Sequence, residues 1–292
     1  MPQWQADAVL ALLTLVTGST YFISKIVLQT LDPFVFLALR FFISSLLLYM
    51  LFYKRIHQLQ WSIFLPCLRV GIFLSVGIIM MTIGLQHSQS GQVSFIISME
   101  VVLVPVFALL FYGERIDRLV LLGLPIAVIG LALLTLQAGT NINQGDIWVM
   151  ASAFCFALYT IYNSRYAVRY DPVILAWVQV TMVAVVSSLG MLCFAELKLD
   201  INAAAVYGIA YLIVVATVIR FYVQTYAQRY TTATHTSLIF MLEPVVAALF
   251  GYAILGEVLS AQAMWGCGLI LVATFIAKAG YFSRRKPQSV CR

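Results

Sequence analysis

The stretch EVVLVPVFALLFYGE at residues 100–114 returns in kind as EPVVAALFGYAILGE at residues 243–257. Each run opens on a glutamate set in apolar sequence and closes on Gly-Glu. The same offset of 143 relates Ser94 to Ser237 and Gly123 to Gly266, while an offset of 139 relates Asp32-Pro33 to Asp171-Pro172. Two apolar stretches resemble each other easily, but chance does not also repeat charged and turn-forming pairs at consistent offsets. The chain therefore reads as two copies of one unit.

Composition says where such a unit lives. Of 292 residues, 63% are apolar and only 10% charged, against roughly 25% charged for an average soluble domain. A water-soluble chain of this size needs a charged surface, so the bilayer is the expected solvent. The net charge of +6 does not indicate nucleic acid, because the basic residues are dispersed and form no stripe with interleaved aromatics. Five widely separated cysteines offer neither a CxxC pair nor zinc spacing. His87 and His235 stand alone, so no metal or other cofactor is expected.

A spanning helix needs about 20 mostly apolar residues. That length places spans at about 6–28, 33–52, 64–84, 90–112, 119–137, 145–167, 172–195, 203–226, 232–254 and 262–282. Breaks fall at Asp32-Pro33, Gly113-Glu114, the polar run 139–143, Asp171-Pro172 and Gly256-Glu257. The first span has no preceding Lys or Arg and is longer than a signal-peptide core, so it is expected to be retained.

Lys and Arg orient the spans, since cytoplasmic loops retain them. With the N-terminus inside, inner segments carry Lys54, Arg55, Arg69, Arg115, Arg118, Arg165, Arg169, Arg229, Lys278, Arg284, Arg285, Lys286 and Arg292, whereas outer segments carry only Lys25 and Lys198. Five spans per copy is an odd number, so the second copy enters the membrane in the opposite sense. The expected fold is an all-α integral membrane protein of ten transmembrane helices. They form two inverted five-helix repeats at 1–138 and 139–283, with a basic cytoplasmic tail at 284–292. Such a pair has two nearly equivalent packings, which suits alternating access around a site at the midplane.

At these residues the chain resembles the EamA family of the drug/metabolite transporter superfamily. The resemblance runs from about 8 to 280. It is carried by Gly18-Ser-Thr-Tyr-Phe22, Asp32-Pro33, Ala38-Leu-Arg-Phe41, Val101 to Pro105 with Gly113 to Arg115, and Leu242-Glu-Pro244 with Gly256-Glu257. It departs at Thr17, where the family usually has Trp, at Glu100, where one branch has Tyr, and at Arg220, which is not a general family feature. The resemblance implies a central cavity between the halves and transport of amino acids or related metabolites, often as export from bacteria.

Ionisable groups inside the bilayer are the informative positions, because even a lenient scale charges about 2.5–3.5 kcal/mol for one at the centre. Glu100 and Glu243 lie ten and eleven residues into their spans, roughly 15 Å deep at about 1.5 Å per residue. Glu100 fits a proton-coupling or substrate-amine site, or a carboxylate held by an Arg or backbone amides. Glu243, followed by Pro244, fits the same role or simply organises its helix. Arg220 is a candidate for a substrate carboxylate or phosphate, since a guanidinium can make two parallel hydrogen bonds. A salt bridge from Arg220 to either glutamate explains it equally well.

Arg40 reads as a snorkelling or helix-fixing residue. Pro105 and Pro244 read as structural or gating positions. Thr20, Tyr21 and Ser24, Tyr159, Tyr162 and Asn163, and Tyr222 and Gln224 supply polar groups at similar depth. Thr20 and Tyr159 are also related by the offset of 139. Glycines at Gly77 and Gly84, and at Gly123 and Gly130, are expected to let helices approach closely.

No nucleotide-binding loop is present. The expectation is a secondary transporter of small metabolites in the bacterial inner membrane, with both termini cytoplasmic, no catalytic residues, coupling to protons as an option and a homodimer left open. An intramembrane enzyme using the paired glutamates would need a nucleophile or metal constellation that the sequence does not supply. A non-transporting sensor fits the repeat poorly.

Overall fold

The computed structural model describes residues 1–58, 61–88, 90–114, 116, 118–135, 143–195, 203–246, 249 and 260–283. The described chain is helical without strands: α1 (Gln3–Val27), α2 (Pro33–Ile56), α3 (Trp61–His87), α4 (Ser90–Ser98), α5 (Glu100–Tyr112) and α6 (Arg118–Thr135), then α7 (Gln144–Arg169), α8 (Pro172–Phe194), α9 (Ala203–Ile213), α10 (Arg220–Gln228), α11 (Ala233–Phe240) and α12 (Ala261–Ser283). The boundary between the expected halves at 138/139, Arg115, Lys198, Gly256-Glu257 and the tail 284–292 lie outside the described residues.

Seven helical stretches are long and apolar enough to cross a membrane, and they correspond to expected spans 1–4 and 6–8. Spans 5 and 10 meet the shorter apolar stretches Arg118–Leu134 and Ala261–Ile276. Span 9 begins as α11 and runs into residues outside the described set. The surface matches this setting. Leu110, Leu192 and Phe275 are largely exposed, whereas Asp7, Asp146, Arg40, Asn163 and Gln179 are buried. Apolar side chains outside and polar ones inside reverse the soluble pattern, so this is a membrane protein.

Both Asp-Pro pairs start helices as their chemistry dictates. Asp32 accepts from the Phe34 amide and Asp171 from the Val173 amide, each at 2.8 Å, with proline in the first turn where its missing N–H costs nothing. Helix ends gather on two faces. Arg55 approaches Asp171 at 4.0 Å, and Arg165 pairs with Glu114. The ends of α2, α5 and α7 therefore share a basic face. On the opposite face the Lys25 ammonium donates to the Ser88 carbonyl at 2.5 Å, and Ser88 donates to Asn143 at 2.9 Å.

Spans 4, 8 and 9 are not uniform α-helices. Span 4 breaks at Met99, whose amide bonds only three residues back, to Ile96, at 3.1 Å. Span 9 breaks at the repeat-equivalent position: the Leu242 amide bonds to Ile239 at 3.0 Å, after which helix resumes at 243–246. Pro244 cannot donate to Phe240, and Pro105 cannot donate to Val101, so each break lies beside a carbonyl that lost its helical partner. Span 8 contains a six-residue π-helical segment, Val214–Ile219, between α9 and α10. Glycine sets the close crossings: a Cβ at Gly130 would stand 3.0 Å from the Gly266 carbonyl oxygen, bringing α6 against α12.

Candidate functional site

The breaks deliver the two glutamates. Glu100 opens α5 and Glu243 opens the resumed helix of span 9, so each carboxylate sits at a half-helix N-terminus inside the bundle. The dipole of the helical segment that follows favours negative charge there. Both carboxylates line one cavity, together with Thr17, Thr20 and Tyr21 of α1, Arg40 of α2, Tyr159 and Thr160 of α7, and Arg220 and Gln224 of α10. Leu74, Ile78, Met81, Phe156 and Phe240 form the apolar wall. The cavity encloses about 60 Å³, room for a few water molecules or a small polar group at about 10–15 Å³ each.

The two acids are held alike. Thr160 donates its hydroxyl to Glu100 Oε1 at 2.5 Å, and Tyr21 donates to Glu243 Oε2 at 3.5 Å. Among the described residues no ion pair joins Arg220 to either glutamate, so the salt-bridge explanation of Arg220 is not what the structure adopts. Arg220 is half-buried, lies 5.2 Å from the Phe221 ring centroid, and leaves its Nε without a partner. Among the described residues the Tyr159 hydroxyl and the Gln224 carbonyl oxygen are also buried without partners. Unsatisfied buried polar atoms are costly. The three residues that carry these atoms all line the one cavity.

Of the two readings of Arg40, burial rules out snorkelling and the bonds it makes agree with fixing a helix. It is 4% exposed, and it donates through Nε to Thr217 Oγ1 at 2.8 Å and through a terminal nitrogen to the Ala216 carbonyl at 3.2 Å. It thus stabilises the π-helical segment that precedes Arg220. The π turn displaces carbonyls from their regular partners, and a buried guanidinium supplies the donors.

Four of the polar groups read at that depth, Ser24, Tyr162, Asn163 and Tyr222, are not among the cavity-lining residues. Asn163 is buried between α7, α8 and α10, where its amide donates to Gln228 and its oxygen accepts from Gln179 at 3.5 Å. Tyr222 packs on Phe52, with centroids 5.1 Å apart. Pro105 and Pro244 lie within the helical segments that follow the breaks and are not among the cavity-lining residues. Sequence reading passed over Thr160 and Thr17. Thr160 was recoverable, because the offset that carries Asp32 onto Asp171 also carries Tyr21 onto Thr160.

A helical membrane protein with a polar, glutamate-bearing cavity at the level of broken helices is the architecture of a transporter. The description "EamA-like transporter family" matches twice, at residues 4–136 and 143–278, and the chain belongs to that family. A protein of Archaeoglobus fulgidus named "uncharacterized transporter" is 32% identical over 271 residues, covering 93% of this chain and 85% of its own. The "uncharacterized inner membrane transporter YedA" of Escherichia coli K12 is 24% identical, covering 94% and 91% respectively. A solved crystal structure shares the fold, with a TM-score of 0.75 over 97% of both chains at 17% identity.

Proposed function

We propose that this membrane transporter is a secondary transporter working by alternating access. Its five-span halves, 1–138 and 139–283, are inverted copies, and the cavity between them is the substrate site. The observation that carries this reading is the pair of equivalent hydrogen bonds, Thr160 to Glu100 and Tyr21 to Glu243. Each joins a glutamate at a broken helix of one half to the first helix of the other, and the repeat offsets carry one bond onto the other.

The guest is a small zwitterionic or anionic metabolite of the amino-acid kind. Its carboxylate or phosphate meets Arg220, Tyr159 and Gln224, the side of the cavity with unmet hydrogen bonds. A substrate ammonium meets Glu100 or Glu243, and the same carboxylates are the coupling site if protons drive the cycle. The basic face is assigned to the cytoplasm by the positive-inside rule, which puts both termini there. The membrane is the bacterial inner membrane and the direction export. Purified protein in liposomes, screened with labelled amino acids and nucleoside-type metabolites with and without a pH gradient, tests the reading. Saturable exchange of at least one such compound is expected, and none across the screen refutes it.

A further inference from the structure

Among the described residues, two buried acids remain that the cavity does not use. Asp146, 1% exposed, accepts from Ser88 Oγ and from Gln92 Nε2, each at 2.7 Å. Asp7, 2% exposed, has its Oδ1 3.0 Å from His235 Nδ1, which in turn lies 3.2 Å from Thr231 Oγ1. The two clusters correspond position by position. The repeat offset of 139 carries Asp7 onto Asp146, and the offset of 143 carries Ser88 onto Thr231 and Gln92 onto His235. Each cluster ties the corner between two spans of one half to the first helix of the other half.

The clusters lie at opposite ends of the molecule. The Asp146 cluster sits on the face holding Lys25 and Asn143. Asp7 lies near the start of α1, at the other end of that helix from Lys25, and so toward the basic face. Both belong to the helix pairs that hold the glutamates: α1 with α11 and its continuation, and α7 with α4 and α5. Along each pair the acid stands fourteen residues before the hydroxyl that holds the glutamate, Asp7 before Tyr21 and Asp146 before Thr160.

From this we propose that the clusters are a matched pair of gate ties: Asp7–His235–Thr231 closes the cavity toward the basic face, and Asp146–Gln92–Ser88 closes it toward the opposite face. Both are engaged in this structure. Transport requires that they release one at a time. These are positioning residues for the cycle, and the assignment rests on the alternating-access reading above. Burial gives the ties their strength, because a buried acceptor that loses its donor has no water to replace it.

The test uses the full chain in oriented vesicles, with its five cysteines replaced by serine and Met81→Cys in the cavity wall as reporter. A charged, membrane-impermeant methanethiosulfonate is applied from each face. His235→Ala is expected to raise labelling from the basic face about fivefold or more, the population shift that follows when Asp7 loses this tie, with no change from the opposite face. Gln92→Ala is expected to do the reverse. His235→Gln, which installs the amide used at the other corner, is expected to restore wild-type labelling. Thr231→Val and Ser88→Ala provide a gentler pair with the same readout should either alanine variant fail to fold.

Unchanged labelling in the folded variants, or an equal rise from both faces, overturns the assignment. Uptake by the unmutated protein in the same preparation separates the two ideas. Sided labelling without any uptake removes the transport reading and leaves the clusters as closures of the cavity without a cycle, whereas uptake with unsided labelling removes the ties alone.

Discussion

Thr160 donates to Glu100 at 2.5 Å, and the residues that repeat these two positions, Tyr21 and Glu243, are joined in the same way at 3.5 Å. The shorter bond belongs to the smaller hydroxyl. Glu100 is also the more exposed of the two residues, half-buried where Glu243 is 7% exposed.

Glu100→Gln is therefore expected to lower uptake about tenfold or more, since hydrogen bonds to charged groups contribute about 1.5–3 kcal/mol. Thr160→Val, which removes only the orienting hydroxyl, is expected to cost about fivefold. Initial uptake rates in liposomes, with monodisperse elution as the control for folding, decide both. Wild-type rates in the two variants would take Glu100 out of the site.

Arg220→Ala and Arg220→Lys are both expected to weaken binding of carboxylate-bearing compounds. Lysine keeps the charge but not the planar two-pronged donor. Competition against a labelled substrate measures it, and a lysine variant with wild-type affinity would show that charge alone matters.

Arg40→Met is expected to reduce stability by about 1–3 kcal/mol, because the Ala216 carbonyl of the π segment loses its buried donor. Thermal melting in detergent reads this directly. An unchanged melting temperature would mean that Thr217, which bonds back to Leu212 at 2.7 Å, maintains the segment unaided.

Gly266→Ala is expected to destabilise the protein by about 1–3 kcal/mol, the usual penalty for overpacking. Its new Cβ would lie 2.7 Å from the Gly130 carbonyl oxygen and 2.9 Å from Leu134 Cα, neither of which can easily move. Gly268→Ala, on the same helix with nothing within 4 Å, is the control and should melt as the unmutated protein does. Equal melting of the two variants would refute the close crossing of α6 and α12.

The membrane class, the Asp-Pro helix starts and the facing of both glutamates toward protein could be read from the order of residues alone. Those properties follow from local hydropathy, capping chemistry and rise per residue, which need no partner. Arg220, Thr20, Tyr159 and Gln224 were also legible, because polar groups at that depth must face protein or water. The folded bundle was needed to reveal that Arg40 serves a π turn, that Asn163 and Tyr222 turn away from the cavity, and that Asp7 and Asp146 are tied at opposite ends. Those outcomes depend on which helix lies opposite, and a residue's partner across a bundle is set by packing between segments far apart in the chain.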